Sequence, residues 1–201
     1  MPSRTKSSSE ASLEVRPLRK NDWPILLKLF GDKGACGGCW CMWWRVERGG
    51  KLWEESKGAR NKSAMKRLVE SGKADGLLAF AGGEPVGWCS IGPRGDFPRL
   101  DRSRPFQTES PEGTWSVTCF YVKAGWRSRG VAAALLEAAV ELARKRKARA
   151  LEGYPVLPGS AAHQVPAAFA WTGVPRLFEK ARFTNLTKRL DERNVFRKAL
   201  R

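Results

Sequence analysis

The chain has no apolar run approaching the length of a bilayer-crossing helix, which excludes a membrane span and a membrane partner as expectations. Its opening stretch, MPSRTKSSSE, lacks the apolar core that secretion requires. Residues 1–10 therefore read as a disordered tail and 11–201 as a single domain. Five cysteines, an odd number, leave no complete disulfide framework. With the missing leader they point to a reducing, cytoplasmic setting. Histidine is down to one, His163, in a loop of small residues. Its ordinary pKa suits base chemistry, but an exposed loop position is the favoured reading. Acid is scarce as well: 20 Asp and Glu face 37 Lys and Arg, a net charge of +17. That surplus suits nucleic acid, an acidic surface or an anionic ligand, and a solvated Arg-biased surface also explains it.

What remains is an ordinary globular composition, 42% hydrophobic and 28% charged, in a chain long enough to bury a full core. Alternation marks a first strand around Leu13 to Pro17, and Asn21 or Asp22 with Pro24 signals a helix start. A Gly- and Trp-rich stretch follows, then an amphipathic helix in NKSAMKRLVESGK that stops at Gly72. Two apolar runs around Gly82-Gly83-Glu84 form a hairpin. The segment from Arg94 to Gly113 reads as a polar loop, and Thr114 to Val122 as a strand. Val131, Leu135, Ala139 and Leu142 recur at helical spacing. Ala148 to Tyr154 then gives a further strand, so strand, helix and strand make a parallel βαβ unit. A short helix ending near Ala181 and strands around Phe183 to Lys188 and Asn194 to Leu200 complete the order. The fold class is α/β (α+β): a mixed central sheet with an antiparallel N-terminal half, a βαβ centre and C-terminal strands.

The turn inside the βαβ unit carries the chemistry. Arg127-Ser128-Arg129-Gly130-Val131-Ala132 sits where a strand has ended and a helix begins. A helix start has unpaired N–H groups and a partial positive charge, so it favours anions. Gly130 permits close backbone approach, consecutive N–H groups can wrap a pyrophosphate, and Arg127 and Arg129 add charge-assisted contacts.

This turn resembles that of the GNAT superfamily of acetyl-CoA-dependent N-acetyltransferases. The family pattern places Arg or Gln, two residues, Gly, one residue, then Gly or Ala at the start of the helix after the fourth strand. Arg127, Gly130 and Ala132 fit it, and Phe178, Glu179 and Phe183 match a later helix-to-strand segment. The resemblance implies a GNAT-like fold, with acetyl-CoA as cosubstrate. It also implies direct attack of an amine on the acetyl thioester through a tetrahedral intermediate. Cofactor contacts would come from Phe120, Tyr121 and Val122, largely through main chain, and from Arg127, Ser128, Arg129, Gly130, Val131, Ala132 and Ala133. Phe178 stands where the family often has the Tyr that protonates the departing thiolate, and Ala181-Arg182 replaces a frequent Gly.

With that Tyr missing, the fifth strand becomes the place to look for an acid and a base. Glu152 and Tyr154 are two apart and share a face, Glu152 as candidate base and Tyr154 as replacement acid. A buried salt bridge for Glu152 and simple packing for Tyr154 are the alternatives. In the family, the segment between the first two strands shapes the acceptor site. Trp43, Trp44 and Arg45 there suit a planar or apolar small-molecule amine bearing an acidic group, or else form an aromatic minicore. Cys36, Cys39 and Cys41 would need a fourth ligand from Cys89, Cys119 or His163 to bind zinc, and no metal is expected. ARKRKAR, with Arg193, Arg197, Lys198 and Arg201, would suit nucleic acid or a ribosomal or nucleoid protein acceptor. The cations at the end of a helix explain that run as well, and a small-molecule acceptor is favoured. A homodimer is left open.

Overall fold

The computed structural model describes residues 12–47, 51–108, 111–156, 170–186 and 194–200. The tail 1–10, His163, Arg193 and Arg201 lie outside the described residues. Strand β1 (Leu13–Pro17) leads to helix α1 (Trp23–Phe30), which has the expected Pro24 in its first turn. Asp22 stands before it but does not cap the helix. Its carboxylate instead takes the Arg19 N–H at 2.7 Å and the Arg16 guanidinium, tying β1 to the helix entry. The Trp-rich stretch hides a short helix α2 (Lys51–Ser56), and α3 (Ala59–Ser71) ends on a left-handed Gly72 as expected.

Hairpin strands β2 (Gly76–Ala81) and β3 (Glu84–Pro93) meet at Gly82-Gly83. The segment expected to be an irregular loop contains a short helix α4 (Pro98–Arg102). Strand β4 (Thr114–Val122), helix α5 (Val131–Lys145) and strand β5 (Ala150–Gly153) form the βαβ unit. Helix α6 (Pro175–Lys180) and strands β6 (Thr184–Asn185) and β7 (Phe196–Ala199) close the chain. Strand β7 is shorter than the expected Asn194 to Leu200, and the end of the strand expected over Phe183 to Lys188 falls in 187–193, outside the described residues.

Among the described residues the sheet runs β1-β2-β3-β4-β5-β7-β6. Only β4 and β5 pair in parallel, so the antiparallel N-terminal half and the βαβ centre are both present. Alternation along β2 sends Leu77, Ala79 and Ala81 under α5, and Leu78 and Phe80 towards α1 and α3. Helix α5 buries Val131, Leu135, Leu136, Ala139, Val140, Leu142 and Ala143, a stripe wider than the one read from spacing. At the C-terminal end of β5, a third cluster gathers Trp44, Phe97, Leu100, Phe106, Tyr154 and Val195.

One irregularity matters for function. The β3–β4 register shifts between Ser90 and Ile91, so Thr118 has no partner residue across the ladder. A bulge bends its strand. Pairing of β4 with β5 covers only Thr114–Val117, and the two strands part from Thr118 onward.

Candidate active site

The parting of β4 and β5 is built by backbone alternation. Lys123 N–H donates to Val86 O at 3.0 Å, and Phe120 N–H donates the other way, to Trp171 O at 2.6 Å. Cys119, Tyr121 and Lys123 therefore turn their main-chain groups to β3, while Phe120 and Val122 turn theirs into the gap. This corrects the expectation for Tyr121: its main chain is engaged with β3 opposite Trp88, and its ring meets Phe30 at 5.5 Å on the α1 side. The gap is lined rather than empty. Trp171 occupies the Phe120 N–H, and Val156 N–H donates to Gly173 O at 3.1 Å, so 171–173 lie between the two strands. Gly153 has no side chain because the Phe178 ring fills its place; a Cβ there would come within 2.1 Å of that ring.

Beyond Val122 the chain turns towards α5. Arg127, Ser128, Arg129 and Gly130 are all exposed, with left-handed backbone at Ser128 (φ 59°) and Gly130 (φ 81°). The open space beside Gly130 means that conformation, not crowding, calls for glycine. No side chain caps α5, and its first i→i−4 bond runs from Ala134 N–H to Gly130 O. The N–H groups of Val131, Ala132 and Ala133 thus have no helical partner. Arg127 Nε reaches Val122 O at 3.4 Å, and the Arg129 guanidinium lies 5.3 Å from the Trp126 ring centre. An anionic pyrophosphate fits this donor set: orphan N–H groups, a left-handed turn and two exposed arginines.

Glu152 and Tyr154 do share a face, but within a sealed network. Glu152 is fully buried; one oxygen takes Arg94 at 2.9 Å and Tyr154 at 3.0 Å, the other Arg197 at 3.2 Å. Tyr154, also fully buried, meets Arg94 at 2.8 Å and Ser116 at 2.7 Å. Arg94 further holds Phe106 O at 2.6 Å and Asp101 at 3.1 Å. Burial first, then the neighbouring Glu152 charge, pushes the Tyr154 hydroxyl well above its ordinary pKa. The arrangement suits an ion-pair clamp joining β5 to β7 and to the segment after β3. Both groups are fully buried, so neither is open to an incoming amine in this arrangement. Arg94 and Ser116 were not singled out from the sequence, where Arg94 sits inside a stretch that reads as polar loop.

The Trp-rich segment divides three ways. Trp44 is buried against Phe106, Trp171 and Tyr154 at ring-centre distances of 5.4, 5.8 and 6.1 Å, which makes it core. Arg45 pairs with Asp96 at 3.4 Å over the Phe97 ring. Trp43 keeps partial exposure, packed against Trp53 and under the Arg99 guanidinium. A groove of about 720 Å³ runs beside Met42, Arg45, Arg67 of α3 and Lys73 just past that helix, and includes none of the turn residues. Cys36 is exposed, and Cys41 faces Cys119 with sulfurs 3.4 Å apart. Burial lifts the Cys39 thiol to about 11, so it stays protonated near neutrality. In the basic run at the end of α5, Arg144 pairs with Glu141 and Arg146 with Asp75.

The model of the acetyltransferase (GNAT) family matches residues 39–164. No curated protein matches the chain in sequence. An N-acetyltransferase from Staphylococcus aureus Mu50 is 15% identical, with a TM-score of 0.53 over 94% of this chain and 99% of the other. PaiA N-acetyltransferase from Thermoplasma acidophilum, solved with coenzyme A, is 15% identical, with a TM-score of 0.52 over 94% and 99%. The GNAT domain of S. lividans PAT is 20% identical, with a TM-score of 0.53 over 94% and 90%. These likenesses are of fold. With the family match they establish that the chain belongs to the GNAT family of acetyltransferases, whose cosubstrate is acetyl-CoA.

Proposed function

We propose that this protein transfers an acetyl group from acetyl-CoA to the amine of a small molecule by direct attack on the thioester through a tetrahedral intermediate. The observation that carries the reading is the uncapped start of α5, where exposed Arg127, Ser128, Arg129 and left-handed Gly130 stand beside three orphan N–H groups. Those groups would hold the pyrophosphate, and acetyl-CoA supplies the activated acetyl. Phe120 and Val122 would offer the pantetheine arm their main-chain groups in the gap. For Glu152 and Tyr154 the proposal is positioning: their network with Arg94, Arg197 and Ser116 holds β5 where the gap opens. The acceptor side falls to the half-exposed Trp43 rather than to Trp44 or Arg45.

Incubation with acetyl-CoA and a panel of primary amines, read as free CoA thiol and as acetylated amine by mass, tests the reading. Release of CoA that depends on a small amine is expected. Acetylation confined to protein substrates, or intact acetyl-CoA throughout, would overturn it.

A further inference from the structure

Four arginines lie in or against the segment from Arg94 to Arg102, with Arg45 over Phe97, and the described carboxylates there are unevenly shared. Arg45 holds Asp96, Arg94 holds Asp101 and Glu152, and Arg102 holds Glu47. Arg99 has no carboxylate partner among the described residues. It is only 8% exposed, and its Nη1 has no hydrogen-bond partner among the described residues. Its guanidinium lies 3.6 Å from the Trp43 ring centre. Stacking on an indole satisfies the face of the cation and leaves the buried in-plane N–H donors of Nη1 unmet. A buried cation whose donors stay unpaired is costly, and a planar fork matches a carboxylate. Burial alone lowers the Arg99 pKa, with no neighbouring charge opposing it.

The place of this pair in the fold gives the unmet donors a use. Trp43 and Trp171 both border the same two apolar clusters, the one under α1 and α3 and the one around Trp44 and Tyr154. Trp171 in turn reaches the gap through its bond from Phe120. Arg99 and Trp43 therefore lie along the aromatic seam that leads to the parted strands.

We infer that Arg99, stacked on Trp43, is an anion subsite for the acceptor, so that the acceptor is an amine carrying a carboxylate beside an apolar or planar body. This rests on the acetyl-transfer reading above. It assigns the acidic-group role to Arg99 in place of Arg45, whose charge Asp96 already meets.

Matched probes test it: phenylalanine against phenethylamine and tryptophan against tryptamine, each measured for kcat/KM and for binding by calorimetry with acetyl-CoA present. The carboxylated member of each pair is expected to lead by at least about tenfold, the scale on which losing one partner of a buried charge pair is felt. Arg99→Met keeps packing on Trp43 and should erase that lead with acetyl-CoA affinity unchanged; Arg99→Lys should restore part of it. Thermal melts confirm that both variants fold. A lead that survives in Arg99→Met, decarboxylated amines that match their partners, or no binding of either carboxylated probe overturns the inference. Wild-type protein that fails to bind acetyl-CoA would instead sink the reading beneath it.

Discussion

The main-chain N–H of Phe120 donates to the carbonyl of Trp171 at 2.6 Å, across the gap that opens where β4 leaves β5. The same N–H is one that a pantetheine arm lying along β4 would claim. Trp171 also touches Trp44, ring centres 5.8 Å apart. Acetyl-CoA binding is therefore expected to shift Trp171 and change the protein's tryptophan fluorescence. In Trp171→Phe most of that change should vanish while binding persists. A signal of wild-type size in the variant would mean that other tryptophans report binding, contradicting the expected shift of Trp171.

Tyr154→Phe separates positioning from proton donation. The hydroxyl bonds Arg94, Ser116 and Glu152 in a fully buried site, so its loss is expected to cost about 1–3 kcal/mol, seen as a lower Tm. Turnover at saturating substrate should fall no more than about threefold. A general acid contributes on the order of a hundredfold or more, and a loss of that size would return Tyr154 to the chemistry.

Trp44→Ala is expected to destabilise the fold by about 3–5 kcal/mol, because the ring is buried among Phe106, Tyr154 and Trp171. Any acceptor effect should follow the loss of folded protein. A stable variant with a raised KM for the acceptor would place Trp44 in the pocket instead.

Acid should release the tie between β1 and α1. Burial pushes the Asp22 carboxyl up, but the Arg16 guanidinium and the Arg19 N–H push it down further, leaving it below its ordinary value. A carboxyl with a folded pKa below its unfolded one adds stability that is complete above about pH 3.9 and lost as pH falls through the folded value. Asp22→Asn is expected to lower stability near neutrality by about 1.5–3 kcal/mol, and by progressively less at lower pH. A constant difference between variant and wild type down to pH 2 would contradict the pairing.

Much of the fold was legible because its signals are local. The turn at Gly82-Gly83, the stripe on α5 and the end of α3 at Gly72 each follow from neighbouring residues. The turn before α5 was legible for the same reason, since Arg127 to Ala132, the residues proposed to hold the cofactor, are contiguous. The candidate acceptor side was not. Arg94 meets Glu152 and Tyr154 from 58 and 60 residues away, and Arg99 finds Trp43 across another long separation. Arg45 and Arg99 look alike as residue types; only the position of Asp96 shows which one is already paired. The bulge at Thr118 likewise depends on how β3 and β4 align, which strand composition does not reveal.

The start of α5 as the seat of acetyl-CoA is the claim on which the rest depends, and calorimetry of acetyl-CoA binding to wild type and Gly130→Glu tests it. The glutamate would place bulk and negative charge beside the orphan N–H groups, in space that is now open, and would strain a residue at φ 81°. Gly130→Ala controls for the strain alone. At least tenfold weaker binding for Gly130→Glu than for Gly130→Ala, with both variants folded, is the predicted result. Binding of acetyl-CoA by Gly130→Glu at wild-type affinity would contradict the account.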